Sequence, residues 1–200
     1  MVEPGTAEVG EKPVLFRRLL FAVLGVFLLV LVIIGVIYGP TFWRVYQQRG
    51  TELTTPKQIG SLHLEESEGA RDTAEYVRAA AASAVDFESS FGAVYVDQGG
   101  ESRSVIIVGG TATLWAPDPS LTKMFDLITD DTGSVSELRD VDAGDLGGLM
   151  RCGKTATPDG DMSVCGWADH GSIAVALFPN RTVDESSKLM GDMRTAMEKR

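Results

Sequence analysis

The sequence predicts a single-pass membrane protein carrying one α+β domain, with a mainly antiparallel sheet and about three helices. Three observations carry this. Residues 19–39, LLFAVLGVFLLVLVIIGVIYG, contain no charged side chain. Beyond them, short β-branched runs are joined by Asp- and Gly-rich turns rather than by helical crossovers, which implies antiparallel pairing. Between and after those runs, apolar residues recur at helical spacing in three places.

The apolar run comes first. At ~1.5 Å per helical residue it spans roughly 31 Å, about one hydrocarbon core. A lone segment in lipid must satisfy its backbone internally, so it is a helix. It is longer than a signal-peptide apolar region of about 7–15 residues, and no A-x-A-like cleavage site follows. Tyr38, Phe42, Trp43 and Tyr46 cluster at its far end, where amphipathic rings settle at headgroup level. The chain thus divides into a short cytoplasmic tail (1–18), a transmembrane helix (19–39), a juxtamembrane segment and linker (40–56) and an extracytoplasmic domain (57–200). Flanking charge alone does not orient it, because Lys12, Arg17 and Arg18 face Arg44, Arg49 and Lys57. The Arg17-Arg18 pair abutting the span favours a cytosolic N-terminus, and two cysteines beyond the span favour an oxidising compartment for the C-terminal domain.

Within the domain, QIGSLHL (58–64) alternates as a strand. GARDTAEYVRAAAASAV (69–85) sets Ala70, Ala74, Val77, Ala81 and Ala84 on one helical face. Because that face is mostly alanine, the helix is expected to pack close against a sheet. FGAVYVD (91–97) and RSVIIVG (103–109) are strands joined by QGGES, a hairpin signal. DPSLTKMFDLI (118–128) reads as a helix with Asp118 as N-cap and Pro119 in its first turn. Residues 130–148 form an Asp/Gly-rich loop with a short strand near Val141. LMRCGKTA (149–156), MSVCGWA (162–168) and SIAVALF (172–178) are further strands. The last helix opens at Thr182 with the capping box TVDE and buries Leu189, Met193, Ala196 and Met197. Two stretches share a ββα pattern, which raises a duplication.

From residue 56 onward 13 Lys/Arg face 24 Asp/Glu, a net charge of −11. That excludes a nucleic-acid backbone partner, whose binding needs basic residues, and disfavours adhesion to an anionic membrane surface.

The stretch CGWADHG (165–171) brings Cys165, Trp167, Asp169 and His170 together. Cys152 and Cys165 are the only cysteines. In a hairpin centred on Pro158-Asp159 they lie directly opposite each other, with Cα atoms ~4.5–5.5 Å apart, within disulfide range. A disulfide is the favoured reading. A zinc site with His170 and Asp169 lacks the short C-x₂₋₄-C spacing, and a redox or nucleophilic cysteine lacks C-x-x-C. Asp169, His170 and Gly171 are the only residues left to reverse the chain between two strands, and all three tolerate turn backbone. Trp167 shares the face of Cys165, to cover the disulfide or fill the core. A triad of Asp169, His170 and Ser172 is the weaker alternative, since neighbours in one tight turn seldom converge as triads do.

Elsewhere the chemistry is sparse. His63 is isolated on a strand. Asp140, Asp142 and Asp145 resemble a calcium loop, but Arg151 stands where a bidentate Glu is required. Gly35 and Gly39 form a G-x-x-x-G that is weak support for a homodimer. No cofactor or metal is implied.

The Arg-flanked anchor followed by PKQIGSL (56–62), the pair RCG (151–153) with CGWADHGS (165–172), and the closing amphipathic helix resemble the single-pass envelope proteins of actinobacteria. The resemblance implies a membrane location and an extracytoplasmic domain, and carries over no activity. The function expected is a membrane-anchored extracytoplasmic binding or accessory module for an envelope protein or ligand. The alternative is a cell-envelope hydrolase or thiol-redox enzyme using His170 or Cys152/Cys165. The enzyme needs His170 in a pocket; the module expects it exposed on a hairpin tip.

Overall fold

The computed structural model describes residues 13–48, 50–97, 100–128, 134–157 and 160–200. Residues 1–12 of the expected tail, the first two residues of QGGES (98–99), residues 129–133 at the start of the expected Asp/Gly-rich loop and the Pro158-Asp159 turn lie outside the described residues. The chain forms two compact units, Met1–Trp43 and Arg44–Arg200.

The first unit holds most of α1 (Pro13–Gln48). Its apolar stretch Leu19–Trp43 covers 25 residues at mean hydropathy 3.3, long and apolar enough to cross a bilayer. The helix runs on through Pro40 rather than ending at residue 39, so the segment expected to be juxtamembrane is helical as far as Gln48. Proline removes one backbone donor from a helix interior, and one such loss does not end a helix this apolar.

The second unit is an α+β domain built on one eight-stranded sheet. Its strands are β2 (Gln58–Ile59), β3 (Leu62–Leu64), β4 (Ser89–Asp97), β5 (Gly100–Thr111), β6 (Ser136–Val141), β7 (Leu149–Thr157), β8 (Gly160–Ala168) and β9 (Ser172–Phe178). They lie in the order β2-β3-β4-β5-β9-β8-β7-β6, and each neighbouring pair is antiparallel. A separate two-stranded ladder joins β1 (Glu52–Leu53) to β10 (Glu198–Lys199). Among the described residues the helices beyond α1 are α2 (Glu68–Ala81), α3 (Pro117–Asp126) and α4 (Val183–Met197).

Side chains alternate across the sheet, so each face has its own core. On one face Tyr95, Ile107, Trp167, Phe178 and the cysteines pack against Met190, Met193 and Met197 of α4. On the other, Val164, Ile173 and Val175 pack with Ala81 of α2 and with Leu121, Met124 and Phe125 of α3. Burying each such side chain stabilises the domain by about 1.5–3 kcal/mol before entropy is counted. The alanine face of α2 does lie close to the sheet. A Cβ added at Gly92 of β4 would sit 2.1 Å from the Ala74 carbonyl oxygen.

Three expectations are corrected. QIGSLHL is not one strand but a hairpin, with Ile59 paired to Leu62 around Gly60 at φ 57°. Asp118 is not the N-cap of α3: Ala116 holds that place without a side-chain bond, and Asp118 instead accepts from Arg151 Nη1 at 2.6 Å. The helix expected over 69–85 stops at Ala81 and is capped at its start by Ser67. The two ββα stretches, β4-β5-α3 and β8-β9-α4, do sit side by side through β5 and β9. Their helices cover opposite faces, so no one rotation relates them, which favours two independent units over a duplication.

Candidate functional site

The register of β7 and β8 places Cys152 directly opposite Cys165. They form a disulfide with Cα atoms 4.1 Å apart, and both are fully buried. Neither thiol is free to ligate a metal or attack a substrate.

Trp167 follows on the same face of β8 and is 0 % exposed. Its Nε1 donates to Ser172 Oγ at 3.1 Å, and the Arg194 guanidinium stacks 5.7 Å above its ring. Asp169, also buried, closes the β8–β9 turn. Its Oδ1 accepts from the Gly171 and Ser172 amides at 2.7 and 2.8 Å, an Asx-type turn. Its Oδ2 accepts from Arg194 Nη2 at 2.7 Å and Arg200 Nη2 at 2.6 Å. Glu198 completes the cluster, accepting from Arg194 Nε at 2.9 Å and Arg200 Nε at 2.8 Å. Arg194 Nη1 also donates to the carbonyls of Ala143 and Gly147, at 3.2 and 2.7 Å. Two buried carboxylates therefore neutralise the buried Arg194 guanidinium and that of Arg200, which is partly open to solvent. Such a group is costly to bury and more costly to break.

This arrangement does not support nucleophilic catalysis. Ser172 is 0 % exposed, and its hydroxyl lies 3.3 Å from Asp169 Oδ2 and 3.2 Å from Glu198 Oε2. Among the described residues no hydrogen bond joins it to His170. Nor is His170 on an exposed hairpin tip, as the binding-module reading expected. It is half-buried, its Nδ1 donates to the Leu114 carbonyl at 2.7 Å, and its backbone N–H donates to Gln48 Oε1 at 2.8 Å. The turn is thus covered by Gln48 and Thr51 and by the loop after β5.

Sequence reasoning found Asp169, Trp167 and the cysteines but missed Arg194, Glu198, Arg200 and Gln48. A faint signal was present: Arg194 and Glu198 are an i, i+4 pair beside the buried Met190, Met193 and Met197. The acidic loop holds no metal constellation among the described residues. Asp140 accepts from Arg151 at 2.7 Å, and Asp142 accepts from the Gly144 amide at 3.0 Å. His63 is exposed on β3.

One opening, between residues 141–146 and α4, is lined by Asp142, Asp145 and Lys188; two more bear on function. One, near the start of α4, is charged and self-paired: Arg139 bonds Asp184, Lys154 lies 3.2 Å from Glu137, and Arg181 bonds Asp97 at 2.9 Å. The other is an apolar cavity of about 330 Å³ on the opposite sheet face from α4. Its floor is Ile106, Val108, Val175 and Leu177; Val77 and Ala80 of α2 form one wall, and Met124 and Ile128 the other. Two helices held separately on the sheet leave this gap, and its size falls within the range of ligand pockets, about 300–1,000 Å³. Compared with known protein families, curated proteins and solved structures, the chain shows no significant match.

Proposed function

We propose that this protein is a membrane-anchored extracytoplasmic binding module, with its N-terminus in the cytosol and the α+β domain displayed outside to hold an envelope ligand. The observation that carries the reading is a contrast between the two sheet faces. The chemistry-rich stretch is sealed by a disulfide and a buried ion cluster and the openings beside α4 are lined by charged side chains, whereas the other face keeps an open apolar cavity. The Arg17-Arg18 pair beside the span and the disulfide support the outward orientation.

Orientation is the part to test first. Both native cysteines are bonded, so a cysteine introduced at Tyr76, which is 77 % exposed, is the sole free thiol. In intact cells a membrane-impermeant maleimide is expected to label Tyr76→Cys at once and a Thr6→Cys control only after permeabilisation. The reverse pattern refutes the reading.

A further inference from the structure

We propose that the cavity between α2 and α3 takes up one hydrocarbon chain of a lipid drawn from the membrane in which α1 anchors the protein. This rests on the binding-module reading and names its ligand class.

Charge selects the occupant. The domain carries a net charge of −11 from residue 56 onward, yet among the described residues none that lines the cavity is Asp, Glu, Lys or Arg. Its polar groups are the hydroxyls of Thr155, Thr157 and Tyr76. A charged or strongly hydrogen-bonding ligand would lose its hydration there without replacement, whereas a hydrocarbon loses nothing. The acidic surroundings also disfavour an anionic head, so the lipid is uncharged or zwitterionic.

Size narrows it further. At about 330 Å³ the cavity lies at the small end of the range for ligand pockets, about 300–1,000 Å³. A gap this small favours a slender flexible chain over a bulky folded segment. An added strand is excluded as well, because the floor strands β5 and β9 are interior to the sheet and pair with each other. A single flexible chain fits, with the thioethers of Met124 and Met162 able to repack around it.

The test uses the full chain in nanodiscs of phosphatidylcholine doped with a phosphatidylcholine carrying a diazirine in its acyl chain. After irradiation and peptide mapping, adducts in 76–81 and 124–128 are expected about tenfold above those in 136–141, an exposed edge strand. Ala80 is exposed at the cavity lip, so Ala80→Trp fills the space without disturbing the core. It is expected to lower the cavity adducts about tenfold and to leave those in 19–39 unchanged. Cavity adducts no higher than the edge-strand background, or indifferent to Ala80→Trp, overturn the proposal. Labelling by a free diazirine-bearing dodecanol in lipid-free amphipol, but not by the phospholipid, overturns the membrane source. In that lipid-free state an Ala80→Cys thiol should react with N-ethylmaleimide as fast as Ser136→Cys. If it does, a failed lipid result sinks this ligand alone; if it does not, the cavity is closed and the binding-module reading falls too.

Discussion

Replacing Asp169 with Asn keeps the side chain's shape and removes its charge. The carboxylate receives two backbone amides on one oxygen and two guanidinium groups on the other, all within 2.8 Å. Asn can serve the amides with its carbonyl oxygen, but its NH₂ then points at the donors of Arg194 and Arg200. Arg194, 1 % exposed, is left with one carboxylate, and the cluster gains a net positive charge. Breaking a buried ion pair at one partner costs about 3–5 kcal/mol. Arg200 is 27 % exposed and recovers part of its share from water, so the lower end of that range is expected. For a unit of this length, the full range corresponds to a fall in Tm of about 6–20 °C. The assay is denaturant unfolding of the full chain in detergent, read by circular dichroism. Arg194→Met should be comparably destabilising alone. The pair Asp169→Asn/Arg194→Met, which leaves Glu198 with Arg200, should cost less than the sum of the two by about 1–3 kcal/mol. A cost for Asp169→Asn below about 1 kcal/mol, or strict additivity, would refute the claim that this stretch is a structural ion cluster.

Alkylation of the denatured, unreduced domain should label no thiol, and both Cys152 and Cys165 should label after reduction; the lost loop constraint is about 3 kcal/mol of stability. Burial pushes the Tyr95 phenol up to about 12, while its hydroxyl donates to the Pro56 carbonyl at 2.9 Å. The neutral phenol is favoured in the fold, so its stabilisation is complete below the unfolded value of about 10 and disappears as pH rises through about 12. A phenolate absorbance titration showing every tyrosine ionising near 10 contradicts this. Gly171→Ala would place a Cβ 2.2 Å from the Gln48 carbonyl oxygen. It should free residues 48–53, seen as faster amide exchange there with α2 unchanged; unaltered exchange would show that the close approach carries no weight.

The fold was largely legible because its strands are β-branched and separated by turn residues, and because the disulfide register follows from the arithmetic of one hairpin. Positions 152 and 165 pair as the turn dictates. What the sequence did not reveal were interactions between segments far apart along the chain. Arg194 and Arg200 carry no local signal in the sequence, and nothing near them announces that Asp169 is their acceptor. Gln48 looked like linker, yet its side chain and the hydroxyl of Thr51 secure the chain where it enters the domain. The apolar cavity was hidden for a related reason. Periodicity marks Val77, Ala81 and Met124 as apolar-facing, but it does not tell a filled core from a gap between two helices.

The density of chemistry-bearing residues in CGWADHGS has a physical source other than catalysis. One turn must satisfy four neighbours. Asp169 closes the turn and receives the two arginines; the His170 and Gly171 carbonyls accept from the Leu114 and Ala112 amides, both at 3.1 Å. The His170 amide holds Gln48 at 2.8 Å, and Ser172 takes the Trp167 indole. A carboxylate, an imidazole, an indole and a hydroxyl are what a buried junction of this kind needs, because each unpaired polar group left inside would cost about 1–3 kcal/mol. A catalytic site, by contrast, keeps at least one of those groups unsatisfied and reachable until substrate arrives. Here Asp169 and Ser172 are both spent and sealed, which moves the search for function to the opposite face of the sheet.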